Sequence, residues 1–159
     1  MKRLLPFFIL TALYSYSFDA FCQSEEANKK VVRRYFEEVV NQRKIELLKD
    51  IYAENYLFTN LLDGGTNQGI KQLYEFLPYM FKAVPDVRFK VDILVAENDQ
   101  VVAVCTATGT HKGDFFGFPA SGNTLEVKEI FIYTLKEGKI ISNNGMLNLM
   151  GMQEQLKIK

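Results

Sequence analysis

Two ionisable residues in the second half of the chain could move a proton near neutral pH. His111, the only histidine, lies in a glycine-rich stretch between Thr108 and Gly122, and an imidazole titrates close to neutrality. Glu129 shares one face of a predicted strand with Phe131 and Tyr133. A carboxyl group on such an apolar face has a raised pKa and can act as a base. The pair therefore predicts general acid–base catalysis.

Each of these two residues also has a structural alternative. His111 can bridge backbone groups and fix the turn of its own loop, as most single histidines serve packing. Glu129 can reach water from the end of its strand, or from a face that points outward. The catalytic and structural interpretations both stay open at the level of sequence.

A second group of residues could line a cavity and hold a ligand. Small residues recur on one face of the predicted strand 101–111, and small inward residues on a curved sheet leave room for a pocket. Close packing of helices without a cavity is the alternative. Asn144, Met146 and Asn148 share strand parity and are expected to face inward together. The predicted ligand contacts are Tyr35, Asn60, Cys105, Phe131, Tyr133, Asn144, Met146 and Asn148.

No motif for cofactor or metal chemistry is visible. One histidine and no cluster of metal-binding residues argue against a zinc site. The sequence contains no phosphate-binding loop, dinucleotide fingerprint or nucleophile elbow. The formal net charge is zero, which gives no reason to expect binding to nucleic acid. The expected partner is a small apolar molecule, with no metal and no cofactor.

Helices in the first half and strands in the second must position these residues. Amphipathic periodicity predicts helices over 28–41, 45–51 and 70–81. Pro78 lies inside the last pattern, so we expect a kink or break near 74–77. Alternating and β-branched runs predict strands over 87–96, 101–111, 125–135 and 139–148, joined as two antiparallel hairpins. Helices followed by an antiparallel sheet indicate an α+β fold.

The first 22 residues have the layout of a secretory signal peptide. A basic start is followed by a mostly apolar stretch, 4–18, and by the small residues Ala20 and Cys22. A membrane anchor is less favoured, since a span needs roughly 20 apolar residues. We expect one domain over 23–159, secreted or periplasmic, without membrane contact after processing. A lipid on Cys22 is an open alternative.

The loop around His111 also resembles a known family. Thr108-Gly109-Thr110-His111-Lys112-Gly113-Asp114-Phe115-Phe116-Gly117-Phe118-Pro119 is similar to the Thr-Gly-Thr-His-x-Gly-x-Phe-x-Gly-x-Pro pattern of SnoaL-like polyketide cyclases, of the nuclear transport factor 2-like superfamily. The tail, Met150-Gly151-Met152-Gln153-Glu154-Gln155-Leu156, is similar to their Leu-Gly-Leu-Leu-Gln-Gln-Leu. The resemblance implies a cone-shaped, curved antiparallel sheet of about four long strands. About three N-terminal helices would cover it and enclose a pocket.

The same resemblance implies that the usual catalytic group is missing. The cyclases close a ring by an aldol reaction, which needs a base and an acid. Their carboxylate lies just ahead of the tail, where this chain has Asn148. Family members often have histidine at the place of Asn60, and His-Trp-Asp at the place of Asn143-Asn144-Gly145. An amide forms hydrogen bonds but cannot exchange a proton near neutral pH.

Two functions therefore stay open. One is a cofactor-free cyclase or isomerase acting on a small apolar carbonyl or hydroxyl compound through His111 or Glu129. The other is a secreted, non-catalytic module for ligand binding or dimerisation. A homodimer is expected in either case, because the outward face of the strand 101–111 is too apolar to remain fully solvated. That face carries Val102, Val104, Thr106 and Thr108.

Overall fold

The computed structural model describes residues 24–62 and 64–156. The predicted signal peptide, residues 1–22, lies outside the described residues. Within the described part, no helix is long and apolar enough to cross a membrane.

Four helices flank the sheet in the described part of the chain. Helix α1 covers 24–34 and continues as a π-helical segment, Tyr35–Val40; a 3-10 turn, Ile45–Leu47, leads into α2, Leu48–Ile51; α3 is Lys71–Ala83 and α4 is Leu149–Leu156. Helix α1 is amphipathic, because Val32, Phe36 and Val39 are buried on one face while Arg34 and Glu38 form an ion pair on the other. Helix α3 runs through Pro78 without a break, and the alternative expectation, a kink near 74–77, stays a prediction.

Six strands form one curved, unclosed sheet. They are β1, Tyr52–Asn60; β2, Thr66–Gln68; β3, Arg88–Glu97; β4, Gln100–Thr110; β5, Thr124–Lys136; and β6, Lys139–Met146. Their order is β2-β1-β6-β5-β4-β3. The predicted α+β class is confirmed. The sheet is mixed rather than purely antiparallel, because β1 pairs with β6 in parallel and adds, with β2, two strands to the expected four.

The inner face of the sheet carries the core. On β4, Val101, Ala103 and Cys105 are fully buried, while the residues between them point outward. The longer inward side chains of β5 lie directly opposite, so that Ala103 faces Phe131 across the strand pair. Helix α1 packs over this end of the sheet through Phe36, whose ring centre is 6.0 Å from that of Phe131.

A β-bulge changes the parity of β6. Leu135 pairs with Ile140, but Thr134 pairs with Ser142, so one extra residue is inserted in β6 between these two pairs. An extra residue exchanges the two faces of a strand beyond it. Ile140 is therefore buried, and past the bulge Asn143 rather than Asn144 points to the interior.

Candidate cavity and proton-transfer site

A cavity of about 750 Å³ lies between the inner face of the sheet and the helices. Its wall is mostly aromatic and aliphatic, with Phe36 from α1, Tyr79 from α3, Phe89 from β3 and Phe131 from β5. The volume is in the range of small-molecule sites, which are concave and mainly apolar with a few polar groups. The polar groups in this wall decide what chemistry the cavity can perform.

Glu129 is the ionisable group inside the cavity. It points inward from β5, lines the wall and is 5% exposed. Burial alone raises the pKa of its carboxyl from 4.5 to about 7, because no cation or hydrogen-bond donor in the described part offsets the lost hydration. A carboxyl with this pKa can both accept and return a proton near neutral pH.

Tyr133 and Asn143 form a second polar position. They are cross-strand partners on β5 and β6, both are buried, and both line the cavity. The Tyr133 hydroxyl and the Asn143 Oδ1 have no hydrogen-bond partner among the described residues. The Asn143 side chain is also hydrogen-bonded to Tyr56. Buried polar atoms without partners are rare in folded proteins, so a ligand at this position would supply the missing bonds.

The buried hydroxyls of Tyr35, Tyr52 and Tyr133 keep their protons at neutral pH, because burial raises the pKa of each. Tyr35 lines the cavity and its hydroxyl is hydrogen-bonded to that of Tyr52, with the two rings packed edge to face at 5.2 Å. Burial raises the pKa of both hydroxyls, and also that of Tyr133, above the usual value of 10. These hydroxyls can therefore donate hydrogen bonds at neutral pH without ionising.

Asn60 combines a place in the cavity wall with a structural role. It ends β1, is buried, and lines the cavity. Its Oδ1 accepts the backbone N–H of Leu62 at 3.0 Å, which closes the turn that leads to β2.

His111 lies outside the cavity wall. Its ring is fully buried, and its Nδ1 lies 3.0 Å from the Ser121 hydroxyl and 3.3 Å from the Ser121 backbone nitrogen. Because a backbone N–H only donates, Nδ1 is an acceptor and the ring proton is on Nε2. The geometry thus places His111 in the turn, as in the structural alternative, and not in the cavity wall; its role as a base stays a prediction.

The loop that contains His111 is anchored on the end of α3. The backbone N–H groups of Lys112 and Gly113 both donate to the Ala83 carbonyl, at 2.8 and 3.0 Å. A Cβ on Gly113 would lie 2.8 Å from the Lys82 carbonyl oxygen, so only glycine allows this approach. Gly113 of the sequence pattern therefore serves the docking of the loop.

Five of the ten sequence-predicted site residues line the cavity; whether they act on a ligand stays a prediction. They are Tyr35, Asn60, Glu129, Phe131 and Tyr133.

The other four predicted contacts lie elsewhere, as does His111. Cys105 is fully buried and is absent from the wall. The expectation that Asn144, Met146 and Asn148 face inward was wrong, because the bulge turns Asn144 and Met146 to the other face. Asn148 is exposed, and its Oδ1 accepts the Gly151 backbone N–H at 2.9 Å at the start of α4.

Sequence reasoning missed Asn143 and the aromatic rim. No residue pattern marks the bulge that turns Asn143 inward.

The aromatic rim consists of Phe76, Tyr79 and Phe116, which line the cavity and are partly exposed. The Tyr79 hydroxyl accepts the Phe116 backbone N–H at 2.6 Å and so ties the His111 loop to α3. The Phe-Phe-Gly-Phe run of the loop is the sequence signal that could have pointed to this rim.

The cavity carries acidic groups without basic ones. Glu75 and Glu129 are the ionisable carboxyls of its wall, and no lysine, arginine or histidine lines it within the described residues. No group of three or more metal-binding side chains occurs in this part of the chain.

The sequence model of the SnoaL-like polyketide cyclase family matches residues 30–156. No curated protein matches the chain in sequence.

Solved structures share the fold at low identity. A proposed SnoaL-like polyketide cyclase from Jannaschia sp. CCS1 has a TM-score of 0.77 at 23% identity, covering 83% of this chain and 92% of its own. A proposed polyketide cyclase from Acidithiobacillus ferrooxidans has a TM-score of 0.73 at 23% identity, covering 82% and 94%. IdmH, a proposed polyketide cyclase from Streptomyces antibioticus, has a TM-score of 0.71 at 20% identity, covering 81% and 97%. With its family model matched over most of its length, the chain belongs to the SnoaL-like polyketide cyclase family.

Proposed function

We propose that this protein is a cofactor-free enzyme of the cyclase or isomerase type, in which Glu129 transfers a proton on a small apolar carbonyl compound. The observation that carries the proposal is a buried, unpaired carboxyl group in the wall of a mostly apolar cavity. A general base works best when its pKa is close to the working pH, and burial brings the pKa of Glu129 to about 7.

The proposed reaction uses two polar positions of the wall. The Glu129 carboxylate takes a proton from the carbon next to the substrate carbonyl, and the electron pair of that C–H bond moves toward the carbonyl oxygen. The Tyr133 hydroxyl, which lacks a partner within the described residues, donates a hydrogen bond to a developing oxyanion. Return of the proton from Glu129 at another carbon gives an isomer. Attack of the enolate carbon on a second carbonyl closes a ring, and the alkoxide that forms takes back the proton held by Glu129, which restores the carboxylate.

Deuterium exchange at a ketone tests this proposal. The wild-type protein should speed exchange of the methyl protons of 2-acetylnaphthalene in D₂O, followed by NMR. Glu129→Gln should lose roughly 100-fold or more of the enzymatic rate, the usual share of a general base. Glu75→Gln is the matched control, because Glu75 lies in the same wall but is exposed and paired with Lys71. Exchange no faster than in buffer, or an unchanged rate in Glu129→Gln, would reject the proposal.

A non-catalytic binding module is the second candidate. It is supported by Asn148, which stands where the resemblance places a carboxylate and which is exposed at the start of α4. Saturable binding of the same ketone, without exchange above the buffer rate, would favour this candidate.

We also propose that the protein is exported as one domain over 23–159 and that it forms a homodimer. Support for export comes from the basic and apolar character of residues 1–22, which lie outside the described residues. Intact-mass analysis after expression in a secreting host should give a chain that begins at Gln23. A retained N-terminus in the membrane fraction would contradict export.

Support for the dimer comes from the uncovered apolar outer face of the sheet.

A further inference from the structure

The charges around the cavity disfavour an anionic ligand. Of the two carboxyls in its wall, Glu75 is exposed at the surface and pairs with Lys71 at 3.6 Å. Glu129 is inside and has no cation to balance it among the described residues. An anionic ligand would meet an uncompensated carboxylate in a medium of low dielectric constant, where charges of like sign repel strongly.

The unpartnered polar atoms show the same tendency. Of these atoms, the Asn143 Oδ1 is an acceptor, and the Tyr133 hydroxyl can accept as well as donate. The Glu129 carboxyl in the same wall only accepts when it is ionised. The Gln72 Nε2, on α3, is an unpartnered donor in the same wall, but it is neutral and leaves the charge balance unchanged. A ligand that brings hydrogen-bond donors and a positive charge therefore fits this wall better than one that brings acceptors.

We propose that the cavity binds protonated amines carried on an apolar aromatic frame, with the ammonium group paired to Glu129. The proposal concerns binding and shares Glu129 with the proposed function, but it does not require proton transfer to a substrate. The rings of Phe36 and Phe131 pack against one another in the same wall and offer apolar contact to the frame. Aromatic faces also attract cations.

The ion pair is favoured because folding has already removed water from one of its two charged groups. Forming a buried ion pair requires that both charges lose their hydration. The carboxyl of Glu129 is buried before any ligand arrives, so binding must remove water only from the ammonium group. The attraction gained on binding is therefore offset by one desolvation cost instead of two.

Three probes of matched shape test the proposal by calorimetric titration at pH 8. They are 1-naphthylmethylamine, 1-naphthylmethanol and 1-naphthoate, which share one ring system and differ in the charge of the substituent. The amine should bind at least tenfold more tightly than the alcohol, and the naphthoate should bind most weakly. In Glu129→Gln this preference should disappear, while Glu126→Gln, which changes an exposed carboxyl of β5 outside the cavity wall, should retain it. Circular dichroism checks that both variants are folded.

The pH dependence separates pairing with Glu129 from simple apolar binding. Since the carboxyl of Glu129 titrates at about 7, its ionised fraction falls about tenfold between pH 8 and pH 6, and the affinity for the amine should fall with it. The affinity for the alcohol should stay constant over this range.

The proposal is overturned if the wild type binds the amine no more tightly than the alcohol, or if Glu129→Gln keeps the preference. It is equally overturned if the amine shows no binding at millimolar concentration. The outcome is distinct from that of the exchange assay, which uses a neutral ketone. Amine preference without ketone exchange would reject only the proposed catalysis, and exchange without amine preference would reject only the amine site.

Discussion

Glu129 on β5 lies directly opposite Cys105 on β4, and both side chains are buried against the same face of the sheet. Burial raises the pKa of the Cys105 thiol to about 12, so the thiol is neutral at physiological pH. The carboxyl of Glu129 thus has a thiol and aromatic rings for neighbours, and its ionised form is costly. This arrangement makes the stability of the fold dependent on pH.

The folded protein should become less stable as the pH rises from about 4.5 to 7. The folded-state pKa of Glu129 lies above its usual 4.5, at about 7. Its neutral form is accommodated below pH 4.5, and that advantage is lost as the pH rises through 7. A shift of this size corresponds to about 3 kcal/mol in the free energy of unfolding. Glu129→Gln should therefore be more stable than the wild type at pH 8, and the two should differ little at pH 4.5.

Urea unfolding at pH 5 and pH 8 measures this difference. Glu75→Gln serves as the control, because the exposed Glu75 side chain should leave the pH slope unchanged. If the wild type and Glu129→Gln show the same pH slope, the carboxyl of Glu129 is not held in the environment described above.

Replacement of His111 by leucine should destabilise the loop by about 1–3 kcal/mol, because the Ser121 hydroxyl and backbone N–H would lose their buried acceptor. His111→Asn places an amide oxygen near the position of Nδ1 and should lose less. Ser121→Ala removes only the hydroxyl and should cost about 1 kcal/mol. Chemical unfolding of the three variants measures the series. Equal stability of His111→Leu and the wild type would speak against this role.

Asn148 should behave as a helix cap rather than as a cavity residue. Loss of its bond to the Gly151 N–H in Asn148→Ala should lower the free energy of unfolding by about 1 kcal/mol. Asn148→Asp should be at least as stable, because a carboxylate accepts the same bond and favours the positive end of α4. It should not speed ketone exchange, since the side chain does not line the cavity. Faster exchange in Asn148→Asp would show that the residue reaches the substrate.

Val104→Lys should convert the proposed dimer into monomers. Val104 lies on the outer face of β4 opposite Ile130 of β5, whose side chain is exposed, so a lysine there would place a charge in the proposed interface. Light scattering at micromolar concentration measures the mass. Met150→Lys is the matched control, because Met150 is 81% exposed and lies on α4, away from this face. A monomeric wild type would refute the dimer.

Much of the site followed from residue spacing alone. The period of about 3.6 residues in α1 and the alternation in β4 and β5 each report which side chains are buried, since a helix or strand must turn its apolar face to the core. The inward position of Phe131, Tyr133 and Glu129 on one strand could therefore be predicted. The α+β class follows from the same patterns, whereas the family was indicated by the resemblance of the loop around His111.

The tertiary structure decided two features that residue spacing does not reveal, the faces of β6 and the burial of Glu129. The extra residue between the pairs Leu135–Ile140 and Thr134–Ser142 reverses the faces of β6, and this exchanges Asn144 for Asn143 in the cavity. A bulge is set by how two strands fit together, so it leaves no mark on one strand read alone. The burial of Glu129 likewise depends on helices distant in sequence. The pKa of a carboxyl is raised only when the elements packed around it exclude water.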